Sequence, residues 1–220
     1  MKKNANTYLF DFDGTLVDSM PSYVGLMLRI LDENNVKYES DIVKIITPLG
    51  YLGTAKYFKE MGLDKSVEEM VATMHGYAHE AYTYHIPEKT GVTETLLELK
   101  RRGASLNVLT ASPHEALDPC LKRLGIFDLF DNVWSCEDFG TTKADPKIYE
   151  AAAERLGKRV GEVIFVDDNP GAVKTARSAK MISCGIFDPT SEEYREEMKR
   201  ESDGYFDEFS ELLSFECEVR

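Results

Sequence analysis

Two places in this chain set carboxylates at the end of an apolar run. Asp11 and Asp13 follow Tyr8-Leu9-Phe10 and lead into Gly14-Thr15-Leu16-Val17-Asp18-Ser19, and Asp167 and Asp168 follow Val163-Ile164-Phe165-Val166 and precede Asn169-Pro170. Acids at i and i+2 on a strand end can converge on one ion if the backbone leaves the extended form, a departure Gly14 permits. Adjacent acids at a buried strand end repel and raise each other's pKa unless a cation lies between them. Four acids at two strand ends therefore make a candidate site for Mg²⁺, a hard cation that prefers oxygen. The plainer reading is a surface turn capped by Asp for the first segment and two helix-capping acids for the second, where Asn169 already serves as the cap. Two more residues bear on the choice. Thr110 closes the apolar run Leu106–Leu109, and Lys143 stands just before the helix start at Asp145-Pro146. A carboxylate nucleophile, a hydroxyl, a lysine and metal-binding acids are the parts phosphoryl transfer needs, since that chemistry is mostly positioning and charge stabilisation.

The elements that must hold these residues follow from hydrophobic period. Short apolar runs at Tyr8–Phe10, Ser105–Leu109, Val133–Ser135, Val163–Val166 and Met181–Cys184 read as buried parallel strands. Stretches of helical period lie between them at Gly91–Arg102, Pro113–Leu124, Pro146–Leu156 and Pro170–Ala179. The alternation predicts an α/β fold, a Rossmann-like doubly wound parallel sheet. Ser112-Pro113, Asp145-Pro146 and Asn169-Pro170 each read as a capping residue followed by proline in the first turn, with Ser112 and Glu115 at capping-box spacing. No strand signal occurs between residues 19 and 88. There Val24, Met27, Leu28 and Leu31 share one helix face, and Val67, Met70, Val71, Met74, Ala78 and Ala81 share another. The expected division is an α/β core of residues 1–18 and 89–220 with an inserted all-helical cap domain of residues 19–88. From Asp188 onward, twelve acidic and four basic residues read as a solvated acidic face, with a surface helix opening at Thr190 and Glu193.

Composition narrows the classes further. The chain has 220 residues, is 43% hydrophobic and carries a formal charge of −13, a field that repels phosphate backbones and argues against nucleic-acid binding. No apolar run reaches the roughly 18 residues of a membrane span, and the start MKKNANTYLFDFDG does not read as a signal peptide. Four scattered cysteines, Cys120, Cys136, Cys184 and Cys217, form no metal-binding or disulfide pattern and fit a reducing cytoplasm. The expected partner is a small phosphorylated metabolite, with neither nucleic acid nor membrane involved, and a monomer or weak homodimer is the expected state.

The motifs DFDGTLVDS at 11–19, LTAS at 109–112, KADP at 143–146 and VDDNPG at 166–171, in that order, make the chain resemble the haloacid dehalogenase (HAD) superfamily of phosphatases and phosphotransferases. The resemblance spans about residues 7 to 185, and the helical insert sits where one cap class of that family lies. The stretch Lys89-Thr90-Gly91-Val92 also resembles the family's return from cap to core. The resemblance implies roles. Asp11 would be the nucleophile that forms an aspartyl-phosphate, and Asp13 the acid to the leaving oxygen and then the base toward water. Thr110, Ala111 and Lys143 would bind the phosphoryl group. Mg²⁺ would be held by the Asp11 carboxylate, the Asp13 backbone carbonyl and Asp168, with Asp167 as a ligand or just behind. Ala144 departs from the proline of many relatives, which bears on loop stiffness.

Within the family, Asp13 disfavours carbon–halogen cleavage, because dehalogenases of this pattern lack that acid. The stretch Met20-Pro21-Ser22-Tyr23-Val24 lacks the histidine that β-phosphoglucomutase-like members carry. The resemblance is therefore nearest to phosphoglycolate phosphatases, and hydrolysis of a small phosphate monoester is the expected reaction. A phosphotransferase or sugar phosphomutase is the alternative. A receiver-like phospho-Asp switch orders its acids the other way round, and a binding scaffold would not need the intact chemical set. The segment Thr47–Thr54, where the family carries a specificity loop, has no charged residue, though Lys44 and Lys56 flank it. Tyr51 there reads equally as a ring-stacking or a packing residue. His75 and His79 stand at i, i+4 without a third ligand.

Overall fold

The computed structural model describes residues 5–219. Six strands form one all-parallel sheet: β1 Thr7–Phe10, β2 Ser105–Thr110, β3 Asn132–Ser135, β4 Val163–Asp167, β5 Ile182–Ile186 and β6 Gly204–Phe206, in the spatial order β3-β2-β1-β4-β5-β6. Every residue of β1, β4 and β5 is buried. Helices on both faces of a parallel sheet demand such unbroken apolar strands rather than alternation. Sequential connections run outward on one side through β2 and β3 and on the other through β4, β5 and β6. The order of travel reverses between β1 and β4, and crevices at such reversals lie beyond the carboxyl ends of the strands. Register sets Phe10 opposite Val166, so Asp11 and Asp167 leave neighbouring strands side by side.

The chain divides into two compact units, one running to Asp18 and resuming at Pro87, the other spanning Ser19–Ile86. The first holds the sheet with α5 Val92–Arg101, α6 His114–Leu124, α7 Lys147–Arg155, α8 Pro170–Ser178 and α9 Arg195–Glu201. Part of its core joins Leu9, Leu109, Tyr149 and Phe165 to alanines on α7 and α8, small residues that let those helices approach the sheet. The second unit is helical: α1 Met20–Glu33, α2 Ile42–Ile46, α3 Gly50–Glu60 and α4 Val67–Tyr84. Met27, Ile30 and Leu31 of α1 meet Phe58 of α3 and Met70 and Met74 of α4 in its own apolar core. Tyr51 is a packing residue, stacked on Tyr23 at 5.3 Å and edge-on to His75 at 5.1 Å. Among the described residues no helix is long and apolar enough to cross a membrane.

Two expectations need correction. The acidic tail is not merely a solvated face. Thr190 does not cap a helix; Asp188 does, accepting from the Thr190 amide at 2.9 Å to open a 3₁₀ turn at Pro189–Tyr194. The tail buries Met198 on α9 and, beyond that helix, adds β6 to the sheet and buries Phe206, Phe209 and Leu212. Most of its acids occupy outer positions, Asp188 and Asp203 being turned inward, while these four apolar side chains hold it down. The three cap-plus-proline starts also differ from one another. Asn169 caps α8, accepting from Gly171 and Ala172 amides at 2.8 and 3.2 Å. Asp145 accepts from Lys147 at 3.0 Å, though Pro146 takes the cap position of α7. Ser112 caps nothing, and no capping box with Glu115 forms, because its hydroxyl is turned to Asp13.

Candidate active site

The segment Asp11–Val17 leaves β1 in a tight loop. Leu16 and Val17 amides both return to the Phe12 carbonyl at 2.9 and 3.0 Å, and the Gly14 amide donates to Val17 at 2.9 Å. Gly14 takes a left-handed φ of 77°, and a Cβ there would fall 2.6–2.8 Å from the Asp168 carboxylate atoms. Glycine is thus required twice over, for its backbone angle and for its lack of a side chain. Thr15, the next residue, clamps Asp168: its hydroxyl donates to Asp168 Oδ1 and accepts from the Asp168 amide, both at 3.2 Å.

Asp11, Asp167 and Asp168 are all buried, and each offers an oxygen within 4.8 Å of the others. Lys143 reaches between two of them, donating to Asp11 Oδ1 at 2.6 Å and Asp167 Oδ2 at 2.7 Å. The other Asp167 oxygen accepts from the Asn169 amide at 2.7 Å, so the helix cap and the acid cluster are built from the same turn. The Lys143 loop is held from below: the Tyr149 hydroxyl, on α7, lies 3.0 Å from the Lys143 carbonyl and 3.1 Å from the Ala172 carbonyl of α8.

Three buried carboxylates face one ammonium in this cluster, and the electrostatics reflect that imbalance. Burial, reinforced by Asp167 and Asp13 and opposed by Lys143, pushes Asp11 up to about 7. Asp168 is driven well above the ordinary carboxylate range by burial and then by Asp167 and Asp11. Burial alone would lower Lys143, but Asp11 and Asp167 outweigh it and hold the ammonium firmly protonated. The excess negative charge and the all-oxygen donor set suit a hard divalent cation.

Of the residues singled out from sequence, Asp11, Lys143, Asp167 and Asp168 come into one cluster. Asp13 is not part of the three-carboxylate group; its Oδ2 accepts instead from the Ser112 hydroxyl on the loop after β2. Thr110 ends β2, and its hydroxyl accepts from the Ser112 amide at 3.1 Å, while Ala111 between them is exposed. His75 and His79 belong to no group of three metal ligands among the described residues. Ser112 and Thr15 are the polar partners to which pattern reading assigns no part in the site. Thr15 stood inside the first motif, and Ser112 was read as a helix cap.

All four cysteines are free thiols. A family model described as "haloacid dehalogenase-like hydrolase" matches residues 5–180. The pyrophosphatase PpaX of Bacillus velezensis is 30% identical over 185 residues, 84% of each chain. A predicted phosphoglycolate phosphatase of Haemophilus somnus shares the fold with a TM-score of 0.78 at 22% identity, covering 95% of this chain and 96% of that one. The magnesium-bound YfnB of Bacillus subtilis shares it with a TM-score of 0.80 at 17% identity, covering 96% and 98%.

Proposed function

The chain belongs to the haloacid dehalogenase-like hydrolases, and from that premise we propose that it is a Mg²⁺-dependent phosphatase of small phosphorylated metabolites working through Asp11. The observation that carries the reading is the Lys143 bridge from Asp11 to Asp167 at 2.6 and 2.7 Å, with Asp168 completing the acid group. In the first half-reaction an Asp11 carboxylate oxygen attacks phosphorus, and the bond to the leaving oxygen breaks. Asp13 gives that oxygen its proton. In the second, Asp13 takes a proton from water, which attacks the aspartyl-phosphate and frees phosphate and Asp11. Splitting one displacement into two is the advantage of the covalent route.

Lys143 opposes the upward shift of Asp11 and so favours its ionised, nucleophilic form, and it offsets charge on the phosphoryl oxygens, which Thr110 and Ala111 help to bind. The Ser112 hydroxyl orients Asp13, so that the acid faces the reacting oxygen rather than the metal ligands. Asp11, Asp168 and the Asp13 carbonyl would hold Mg²⁺, with Asp167 as a ligand or directly behind. When bound, the cation supplies charge neutralisation to the cluster and to the phosphoryl oxygens.

Because a relative at 30% identity is named a pyrophosphatase, pyrophosphate stands beside phosphate monoesters as a substrate. The test is phosphate release from a panel of both, with and without Mg²⁺, using Asp11→Asn as the blank. Magnesium-dependent release that Asp11→Asn lowers by at least about 10³-fold is the expected result. An Asp11→Asn variant within tenfold of wild type removes Asp11 as nucleophile. Label trapped on Asp11 and passed to a sugar phosphate rather than to water makes the protein a phosphomutase or phosphotransferase.

A further inference from the structure

Lys89 lies on the segment that returns from Ile86 toward α5. Its ammonium donates to the Gly14 carbonyl at 2.6 Å, the Phe187 carbonyl at 2.6 Å and Asp188 Oδ2 at 3.1 Å. The side chain is 17% exposed and that of Asp188 only 1%. An ammonium has three N–H donors, and all three are committed here. Two go to backbone carbonyls, which an ordinary ion pair would not require. Asp188 is itself engaged from the other side, its Oδ1 accepting from the Thr190 amide at 2.9 Å and hydroxyl at 2.6 Å.

The Gly14 carbonyl belongs to the peptide between Gly14 and Thr15. That peptide is confined at both ends: Asp168 fills the space where a Gly14 Cβ would stand, and the Thr15 hydroxyl is bonded to the carboxylate and amide of Asp168. Asp13 is the residue immediately before it. Phe187 and Asp188 directly follow β5, the strand that pairs with β4. The lysine therefore ties the loop after β1 to the end of β5, and Asp168 lies in the loop between β4 and α8 that this tie spans. A hydroxyl would satisfy one carbonyl and a carboxamide would bring no charge; a lysine meets two carbonyls and neutralises Asp188 from a single point.

The geometry points to Lys89 as a positioning residue: by holding the Gly14 carbonyl to the end of β5, it sets the Asp13–Thr15 loop against Asp168 for the reaction. The reaction itself is the phosphatase reading above, on which this inference rests for its kinetic consequence. The consequence for cation binding is read separately. Outer partners that orient metal-ligating groups commonly influence affinity or rate by about 10- to 100-fold.

The test is Lys89→Met combined with Asp188→Asn, which removes the tether without stranding a buried charge. Mg²⁺ is titrated calorimetrically into the protein without substrate, and kcat and KM are measured on the best substrate of the panel. The expected variant melts near wild type, binds Mg²⁺ about tenfold more weakly and loses about tenfold in kcat, with KM changed by less than about threefold. If the pair fails to fold, Lys89→Gln with Asp188→Asn, whose glutamine is too short to span the three acceptors, carries the same comparison. A folded variant with Mg²⁺ affinity and kcat both within twofold of wild type overturns the inference and leaves the phosphatase reading intact. Wild-type protein that releases no phosphate, with the variant still weakened for Mg²⁺, overturns the phosphatase reading and keeps the positioning role. Wild-type protein that neither binds Mg²⁺ nor releases phosphate overturns both.

Discussion

Lys143 and Lys89 are both largely buried, with side chains 15% and 17% exposed, and both act at the carboxyl ends of the central strands. Their partners differ in kind. Lys143 spans two carboxylates, Asp11 and Asp167, whereas Lys89 spans two backbone carbonyls and one carboxylate. The first arrangement tunes charge, since it opposes the rise of Asp11 and is itself raised by its two partners. The second fixes the path of the chain. A third basic side chain extends the series: His114 also lies between two carboxylates, Asp118 at 2.9 Å and Asp138 at 3.0 Å, but its side chain is 38% exposed. The same pairing thus occurs in a buried and in a solvated setting, where water screens most of its energy.

The sharpest way to break the comparison is Lys143→Met. It leaves three buried carboxylates without their ammonium, and turnover should fall by about 10²–10³-fold even at saturating Mg²⁺. Phosphate-release kinetics decide it, and a loss under tenfold would put Lys143 on the same footing as the merely structural tie. Next in size is Gly14→Ala, with Gly125→Ala as its partner. Both glycines are left-handed, with φ of 77° and 74°, but only Gly14 has Asp168 in the space of a Cβ. Gly125→Ala should cost about 1 kcal/mol in urea unfolding from backbone strain alone. Gly14→Ala should cost more and should also weaken Mg²⁺ binding. Equal losses with unchanged Mg²⁺ affinity would mean that the contact with Asp168 has no role.

The smallest effect is reserved for His114→Gln. Hydrogen bonds from Asp118 and then Asp138 raise the imidazole above its ordinary value. A histidine raised in the folded state adds stability that is fully present below its unfolded value of about 6.5 and fades as pH climbs through the folded value. The variant should therefore melt below wild type at pH 5.5, by no more than the equivalent of about 1 kcal/mol, and the gap should close by pH 9. A gap that persists unchanged to pH 9 would assign His114 a packing role instead.

Much of this was legible in the residues. Five strands were readable within a few residues, because buried parallel strands are apolar runs bounded by Gly, Pro and Asp. The four acids stood out for a related reason: charge at the end of a buried strand is costly without a partner, so its presence signals a task. Lys143, in a loop before a helix start, stood out only in combination with them. Lys89 did not stand out as a site residue. Its partners at Gly14 and Phe187 are carbonyls, and every residue in the chain has one. Strand β6 escaped notice as well, since Gly204-Tyr205-Phe206 is three residues long in an acid-rich stretch and is stabilised by pairing with β5.

Element type, the strand-end acids and the family motifs are local properties, carried by side-chain chemistry and hydrophobic period along a few consecutive residues. Which acids meet is a different matter. Asp11 and Asp167 are neighbours because β1 and β4 pair in register, and Asp13 is drawn to Ser112 because β2 flanks β1 on the other side. Those meetings depend on the order of strands in the sheet. That order is set by the summed packing of distant segments, which no single stretch of the chain encodes.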